Sequence, residues 1–262
     1  ERMGRGVALT EAGQMLVHHA LRILGEIKDA EASLQALLGA EVGQLSVGLV
    51  STAKYFMPRL LAQFAQRHPG VAVQFAVGNR ELLLQKLQDN AIDLAVMGRT
   101  PVEIDAHAEP MASHPYILIG PADHPLRDAR RFDLHELRHE TFLLREEGSG
   151  SRRVAEEMFR NHLFTPPRTI SMGSNETIKQ AVMAGMGISL ISLHTLPLEL
   201  KTGEVSVLDV IGTPIERTWY VVHMNGKRLL PAGQKFRNFL LDEAAPGLER
   251  EFGRYLAARA VV

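Results

Sequence analysis

The stretch Gln44–Arg59, QLSVGLVSTAKYFMPR, contains the pattern of a β-strand that runs directly into a helix. Every second residue of its first half is apolar, which is typical of a strand. Ser51 and Thr52 follow, and we predict that they cap the helix that begins there. A helix start at the carboxyl end of a strand presents backbone N–H groups and attracts anions. The stretch therefore predicts either simple capping or one edge of an anion-binding site.

Composition limits the possible classes of protein. The chain has 262 residues, 45% of them hydrophobic, with a formal net charge of −1 and no cysteine. Disulfides, thiolate catalysis and cysteine-based zinc sites are therefore excluded, and no overall basic field favours nucleic acid. No apolar run reaches the roughly 20 residues that span a bilayer, and no signal peptide is recognisable. Because the chain begins at Glu1, inside a motif, we expect a part of a longer cytoplasmic protein with no membrane partner.

The first ten residues, ERMGRGVALT, place Arg2 and Arg5 beside glycines. This pattern suits a short basic hairpin, and a frayed, charged N-terminus is the alternative.

A long helix is predicted from Thr10, which is a suitable N-cap. Apolar residues then recur with heptad spacing, as in a coiled coil. The seam comprises Leu16, Ala20, Ile23, Ile27, Leu34 and Leu37. Burial of each Leu or Ile contributes about 1.5–3 kcal/mol, so we expect a second copy of the chain to cover the seam. Folding of the helix back onto its own globular part is the alternative.

Two similar series of alternating strands and helices follow, one from Leu45 and one from Thr141. A β-α-β-α-β order implies right-handed crossovers and parallel strands, so we predict an α/β fold with two halves and a cleft between them.

Polar residues recur where the predicted strands end. The first series contributes Ser51, Thr52, Lys54, Asn79, Arg80 and Arg99, and the second contributes Arg145, Ser149, Ser151, Asn175, Glu176 and Thr177. Because parallel strands share one edge for their carboxyl ends, these residues are candidates to hold one small anionic metabolite in the cleft. Each taken alone is equally well explained as an ordinary surface or capping residue.

Motifs for other chemistry are absent from the sequence. REEGSGSRR is a glycine-rich anion nest without the Walker pattern, and Gly185-Met186-Gly187 is a helix end followed by a strand, the wrong order for dinucleotide binding. No GxSxG or HExxH occurs, so we predict neither a catalytic residue nor a metal site.

Several segments resemble LysR-type transcriptional regulators. ERMGRGVALTEAG resembles the end of their winged helix-turn-helix and the start of their linker helix. FMPRLLAQFAQRHPGVAV, DLAVMG, GPADHPL and AVMAGMGISLIS resemble their effector-binding region. STAKYFMP, GNRELLLQKL and WYVVHMNGKRLLPAGQKFRNFL are most similar to regulators of Calvin-cycle carbon-fixation operons.

The resemblance implies a domain organisation. Residues 1–9 would be the remnant of the wing, with Arg2 and Arg5 as DNA contacts, and residues 10–43 the linker helix and hinge. Residues 44–117 together with a C-terminal helix at 230–262 would form one periplasmic-binding-protein-like lobe, and residues 118–229 the other. The segment after Glu249 extends beyond the usual end of the family.

The resemblance also implies partners. A homodimer would form through the linker helix and assemble to a homotetramer, and promoter DNA would be bound through an N-terminal domain missing from this chain. The effector would contact the loops at Ser51-Thr52, Asn79, Gly98, Gly148-Ser149 and Asn175. No cofactor is implied, and ribulose bisphosphate, phosphoenolpyruvate and NADPH are the first effector candidates.

Three functions therefore compete. The first is an effector-responsive transcriptional regulator, and the second is a solute receptor of the same two-lobed fold. The third is an enzyme, for which no nucleophile–base arrangement provides support.

Overall fold

The computed structural model describes residues 2–3, 6–7, 9–37 and 43–260. The chain divides into two compact units. Unit 1 comprises the chain up to Pro110 together with Tyr220–Ala244, and unit 2 comprises Met111–Trp219 together with the chain from Ala245. Within the described residues, no helix is both long and apolar enough to cross a bilayer.

The N-terminal hairpin is confirmed in the part that the structure describes. β1 (Arg2–Met3) pairs antiparallel with β2 (Gly6–Val7), whereas Arg5 lies outside the described residues. α1 (Glu11–Leu37) follows, and the predicted cap forms, because the Thr10 hydroxyl accepts a hydrogen bond from the Gly13 N–H at 3.1 Å. Most of the predicted hinge, including Glu41 and Val42, lies outside the described residues.

Unit 1 is built on a five-stranded sheet with the order β4-β3-β5-β12-β6. Its strands are β3 (Gly43–Val50), β4 (Val71–Gly78), β5 (Leu94–Met97), β6 (Ala106–Ser113) and β12 (Thr218–Met224). β3 is parallel to both β4 and β5, as the alternating pattern predicts, and β12 is antiparallel to β5. α2 (Met57–Arg67) and α3 (Arg80–Gln88) provide the crossovers.

The C-terminal part of unit 1 packs against α2. α7 (Pro231–Asn238) continues into a π-helical segment, Phe239–Ala244. Phe64 of α2 contacts Phe236 edge-on, with 4.9 Å between ring centroids, and Phe239 at 5.8 Å. All three side chains are buried, so these apolar contacts join the C-terminal segment to the unit 1 core.

Unit 2 repeats the alternating arrangement. Its strands are β7 (Tyr116–Pro121), β8 (Thr141–Arg145), β9 (Arg168–Met172), β10 (Ser189–Ser192) and β11 (Val205–Leu208). Its helices are α4 (Gly150–Asn161), α5 (Asn175–Met183), α6 (Pro197–Thr202) and α8 (Ala245–Ala260). β8 is parallel to β9, while β10 and β11 pair antiparallel with β7. A parallel bridge between Phe142 and Ile188 joins the two groups of strands.

The predicted lobe boundaries differ from these units. The chain passes from one unit to the other after Pro110 and Trp219, inside β6 and β12, and not at 117 and 229. The predicted C-terminal helix at 230–262 forms a continuous helical run over residues 231–260, but only its part up to Ala244 belongs to unit 1, and α8 belongs to unit 2.

The segment after Glu249 packs against residues of unit 2. Phe252 of α8 is buried and contacts His194, with 4.2 Å between ring centroids. Trp219 donates a hydrogen bond from Nε1 to His194 Nδ1 at 3.4 Å and stacks on His114 at 3.8 Å. Burial lowers the pKa of His114 well below its usual range and that of His194 to about 3. α8 therefore covers a buried cluster of neutral imidazoles in unit 2.

Candidate functional site in unit 2

Two helix N-termini meet at one sheet edge of unit 2. β8 and β9 are parallel neighbours, and Arg145 at the end of β8 is in register with Met172 at the end of β9. α4 begins at Gly150 and α5 at Asn175, shortly after these strand ends. Both helices therefore direct the positive ends of their dipoles to the same edge, which favours an anion.

Arg145 and Asn175 form a buried pair at this edge. Their exposed fractions are 6% and 2%, and Arg145 Nη1 donates to Asn175 Oδ1 at 2.8 Å. The other half of the amide, Asn175 Nδ2, is buried without a hydrogen-bond partner. A buried polar group without a partner destabilises the fold by about 1–3 kcal/mol, so this amide donor is available for a ligand.

Glu146 is the carboxylate that now occupies the Arg145 fork. Arg145 Nε and Nη2 each donate to a different oxygen of Glu146 at 2.6 Å. Burial is the largest single effect and raises the pKa of Glu146, but the side-chain hydrogen bonds from Arg145, a backbone hydrogen bond and the charge of Arg145 together lower this pKa overall. Since the Glu146 side chain is 44% exposed, it is well placed to leave when another anion binds the fork.

The loop before α4 adds further polar groups. Gly148 has a φ of 81°, a left-handed conformation that glycine adopts without strain, and Ser149 is the N-cap residue of α4. Ser151 is buried, and its hydroxyl lies 3.5 Å from that of Tyr116. Burial raises the pKa of the Tyr116 phenol, so the hydroxyl is protonated near neutral pH and can donate a hydrogen bond.

The loop before α5 contains the N-cap of this helix. Ser174, and not Asn175, is the N-cap, because its hydroxyl accepts from the Thr177 N–H at 3.1 Å. Of the other predicted residues, Thr177 contacts Ser174 and Glu176 forms an ion pair with Lys179 at 3.0 Å. Both contacts lie within the first turns of α5 and explain these residues without a ligand.

In unit 1, the loop after β3 does not lead directly into a helix. A 3₁₀ turn, Ala53–Tyr55, follows Thr52, and α2 begins only at Met57. The prediction that Ser51 and Thr52 cap this helix is wrong, since Phe56 is the N-cap residue and the Thr52 side chain makes no cap bond. Pro58 explains the late start, because proline is favoured in the first turn of a helix. Lys54 lies over the Tyr55 ring at 5.2 Å.

Arg80 of unit 1, which follows the end of β4, is held by the loop after β5. Asn79 caps α3, and its side chain accepts from the Leu82 N–H at 2.9 Å. Arg80 donates to both carboxylate oxygens of Glu103 and to the Arg99 and Thr100 carbonyls. Its hydrogen bond is the largest cause that lowers the pKa of Glu103 to about 2.

The remaining predicted residues of unit 1 also lie at strand ends. Gly98 directly follows β5, and Arg99 forms an ion pair with Glu103 at 3.3 Å. The structure thus shows where these residues lie, and a role for them in effector binding stays a prediction.

Two residues of the unit 2 site were missed in the sequence. Tyr116 begins a strand, and only its contact with Ser151 relates it to the site. Glu146 is followed by a second acidic residue, Glu147, and such a pair is typical of a solvated surface. Its position directly after Arg145, at the end of a strand, was the available signal.

Comparison with known families decides the class of protein. The model of the LysR substrate binding domain matches residues 39–245. The chain belongs to the LysR family. It is 62% identical over 261 residues to a regulator named CfxR from Cupriavidus necator, covering 100% of this chain and 82% of that protein. It is 48% identical over 240 residues to a regulator named CbbR from Rhodospirillum rubrum, covering 92% of this chain and 80% of the relative.

Solved structures of the family agree with the fold. The Synechocystis CcmR regulatory domain in complex with 2-PG has a TM-score of 0.70 and 38% identity, covering 76% of this chain and 95% of that domain. A Corynebacterium glutamicum OxyR variant has a TM-score of 0.71 at 23% identity and covers 98% of this chain and 79% of the other. The fold is therefore the two-lobed effector-binding fold with a linker helix that the resemblance implied.

Membership of the family also decides between the three competing functions. The relatives are transcriptional regulators, a class of proteins without enzymatic activity, so the chain is a transcriptional regulator and not an enzyme. Nothing in these comparisons supports the solute-receptor alternative.

Proposed function

We propose that this LysR-type regulator controls carbon-fixation genes and that a small phosphorylated metabolite binds unit 2. Relatives named as regulators of the RuBisCO operon, from Allochromatium vinosum and Acidithiobacillus ferrooxidans, are 44% and 39% identical to the chain. The related CcmR domain was solved with 2-phosphoglycolate (2-PG), a small anion.

The buried Arg145–Asn175 pair carries the proposal. A guanidinium in a shielded position holds phosphate or carboxylate through two parallel hydrogen bonds, and it keeps its charge at any physiological pH. The unpartnered Asn175 amide supplies a further donor beside it. A ligand anion that binds here replaces Glu146 on Arg145 and approaches the first N–H groups of α4.

The ligand class follows from this set of donors. Arg145, the Asn175 amide and the Ser151 hydroxyl can all donate hydrogen bonds, and helix N-termini favour negative charge. The set therefore suits a phosphate or a carboxylate, and 2-PG carries both groups. Ribulose bisphosphate, phosphoenolpyruvate and NADPH are the other candidates, and no cofactor is part of the proposal.

Titration calorimetry of the purified chain with 2-PG and the three other candidates tests the ligand class, with glycolate as the control that lacks the phosphate. We expect tight binding of at least one phosphorylated compound and much weaker binding of glycolate. Glu146→Gln is expected to tighten binding, because it removes the competing charge from Arg145. If none of the phosphorylated compounds binds, the proposed ligand class is wrong.

We propose in addition that the chain forms a homodimer through α1, and a homotetramer in the complete protein bound to promoter DNA. In the single chain the seam side chains Leu16, Ile23, Ile27 and Leu34 are between 51% and 71% exposed. Ala20 is exposed too, and the side chain of Leu37 lies outside the described residues. Covering such a stripe stabilises association through apolar burial.

A double variant, Ile27→Asp with Leu34→Asp, tests the dimer by light scattering. Both introduced charges fall on the proposed seam. We therefore expect a dimer to dissociate to monomers, or a tetramer to dimers. Gln14→Asp introduces a charge at an exposed position of the same helix that lies off the seam, and is the control. Unchanged assembly of the double variant would show that α1 is not the dimer contact.

A further inference from the structure

Two strands of unit 1 bring three metal-ligating side chains together. His107 and Glu109 lie two residues apart on β6 and therefore on the same face of the sheet, and His223 lies on the neighbouring strand β12. One ligand atom of each residue lies within 4.8 Å of those of the other two. The two imidazole rings are 5.3 Å apart, and His107 Nε2 lies 3.8 Å from Glu109 Oε1.

Outer contacts orient two of these side chains. His223 Nδ1 lies 3.2 Å from the Met224 carbonyl, which only accepts, so this nitrogen carries the proton and Nε2 of the neutral ring keeps its lone pair. Arg237 of α7 donates to both oxygens of Glu109. Imidazole bonded to a backbone carbonyl and carboxylate held by a second hydrogen bond are the outer contacts that metal ligands commonly have.

We propose that His107, Glu109 and His223 bind one divalent transition-metal ion of the zinc class. Two imidazoles and one carboxylate form the ligand set of open zinc sites, and the nitrogen ligands disfavour Mg²⁺ and Ca²⁺. Tetrahedral binding requires ligand atoms roughly 3.3 Å apart. The three ligand atoms now lie within 4.8 Å of one another, so binding requires them to approach by up to about 1.5 Å.

Charge sets the expected affinity. Arg237 balances the charge of Glu109, so the cluster has no net negative charge to attract a cation. We therefore expect micromolar binding, weaker than in structural zinc sites, with a water molecule as the fourth ligand. The ion would join β6 to β12, the two strands in which the chain passes between the units.

Calorimetry with ZnCl₂ on the untagged full chain, followed by Co²⁺ absorption spectra, tests the proposal. We expect one ion per chain and a tetrahedral Co²⁺ spectrum. His107→Ala and His223→Ala should each weaken binding by at least tenfold and abolish the spectrum. Both histidines lie near the sheet surface, so thermal unfolding without metal should show that each variant folds.

His135→Ala is the matched control. Its exposed imidazole also lies beside a carboxylate, 2.8 Å from Asp133, but within the described residues the pair belongs to no three-ligand cluster. This variant should bind zinc as the wild type does. No binding by the wild type, or equal binding by the double variant His107→Ala/His223→Ala, would overturn the proposal.

Discussion

The strand ends of the two units use similar residues in opposite ways. In unit 2, Arg145 and Asn175 come from different strand–helix junctions and contact each other in a buried position. In unit 1, Asn79 caps its own helix, and the adjacent Arg80 holds the loop that contains Glu103. A basic residue after a parallel strand therefore indicates a ligand site when its guanidinium is buried beside a polar group that has no partner, as Arg145 is beside Asn175.

The two arginines differ less in their carboxylate partners than in their remaining contacts. Each has a carboxylate partner, Glu146 for Arg145 and Glu103 for Arg80. Arg145 also contacts an amide whose second half has no partner, whereas the additional acceptors of Arg80 are backbone carbonyls. A buried polar group without its full set of hydrogen bonds destabilises the fold, and a ligand that bonds to this group removes the destabilisation. Unit 2 is therefore the stronger candidate for effector binding.

The largest expected effect comes from Arg145→Met. Losing two charge-assisted hydrogen bonds, each contributing about 1.5–3 kcal/mol, lowers the affinity for the phosphorylated effector by roughly 100-fold or more. Arg80→Met is the matched control in unit 1, and we expect it to leave the affinity unchanged. Calorimetry measures both, and thermal unfolding confirms that each variant is folded. An equal loss in the two variants would remove the distinction between the units.

The pH dependence of stability should also distinguish the units. In unit 2 burial lowers the pKa of His194 to about 3, against 6.5 in an unfolded chain, and the pKa of His114 is lowered too. As the pH falls below 6.5, the unfolded chain binds protons that the folded unit does not, so the free energy of unfolding decreases. The slope is about 1.4 kcal/mol per pH unit for each histidine.

The Arg80–Glu103 pair of unit 1 loses its contribution at lower pH. The pKa of Glu103 is about 2 when folded and 4.5 otherwise, so this contribution is lost only as the pH falls from 4.5 towards 2.

Urea unfolding between pH 7.5 and 5 measures the difference. The single tryptophan, Trp219, stacks on His114 and reports on unit 2 by fluorescence. His194→Gln should reduce the slope of the free energy of unfolding against pH by about half. An unchanged slope in this variant would show that His194 is not the group that titrates.

Asn175→Asp has a smaller expected effect on binding. The substitution keeps the shape of the side chain but places a negative charge beside Arg145, which repels an anionic effector and removes the amide donor. We expect roughly 10- to 150-fold weaker binding in calorimetry, equivalent to one charge-assisted hydrogen bond. Tighter binding would instead indicate that the ligand is a cation.

Local signals in the sequence predicted most of the fold and part of the site. Period-two alternation predicted β3 at the start of a series of strands and helices, and Thr10 was correctly predicted as a cap, because these features depend on residues only a few positions apart. The parallel order of the strands followed from the alternation with helices. Arg145 and Asn175 were selected for the same reason, as residues that follow strands.

Distant partners explain what was missed. The contacts of Arg80 are fixed by Glu103, 23 positions away, and the interpretation of Arg80 as a ligand residue did not include that partner. His107 and His223 lie on neighbouring strands although 116 positions separate them in sequence, so no spacing motif marks a metal cluster. The return of the chain to unit 2 at α8 likewise depends on tertiary contacts such as that of Phe252 with His194.

The smallest expected effect tests the role of Asn79 in unit 1. Its side chain is exposed and its oxygen accepts from the Leu82 N–H, so Asn79→Ala removes a helix cap and should lower the free energy of unfolding by about 1 kcal/mol. Ser174→Ala removes the equivalent cap of α5 in unit 2 and should cost about the same. Urea unfolding measures both losses.

Calorimetry on the same two variants then separates capping from ligand contact. If Asn79 only caps α3, Asn79→Ala binds the effector as the wild type does, because the cap lies outside the Arg145–Asn175 site. Ser174→Ala should weaken binding slightly, since a loosened first turn of α5 leaves Asn175 less firmly positioned beside Arg145. A tenfold loss in Asn79→Ala with the fold intact would place Asn79 in contact with the effector, and unit 1 would then contribute its strand ends to binding as unit 2 does.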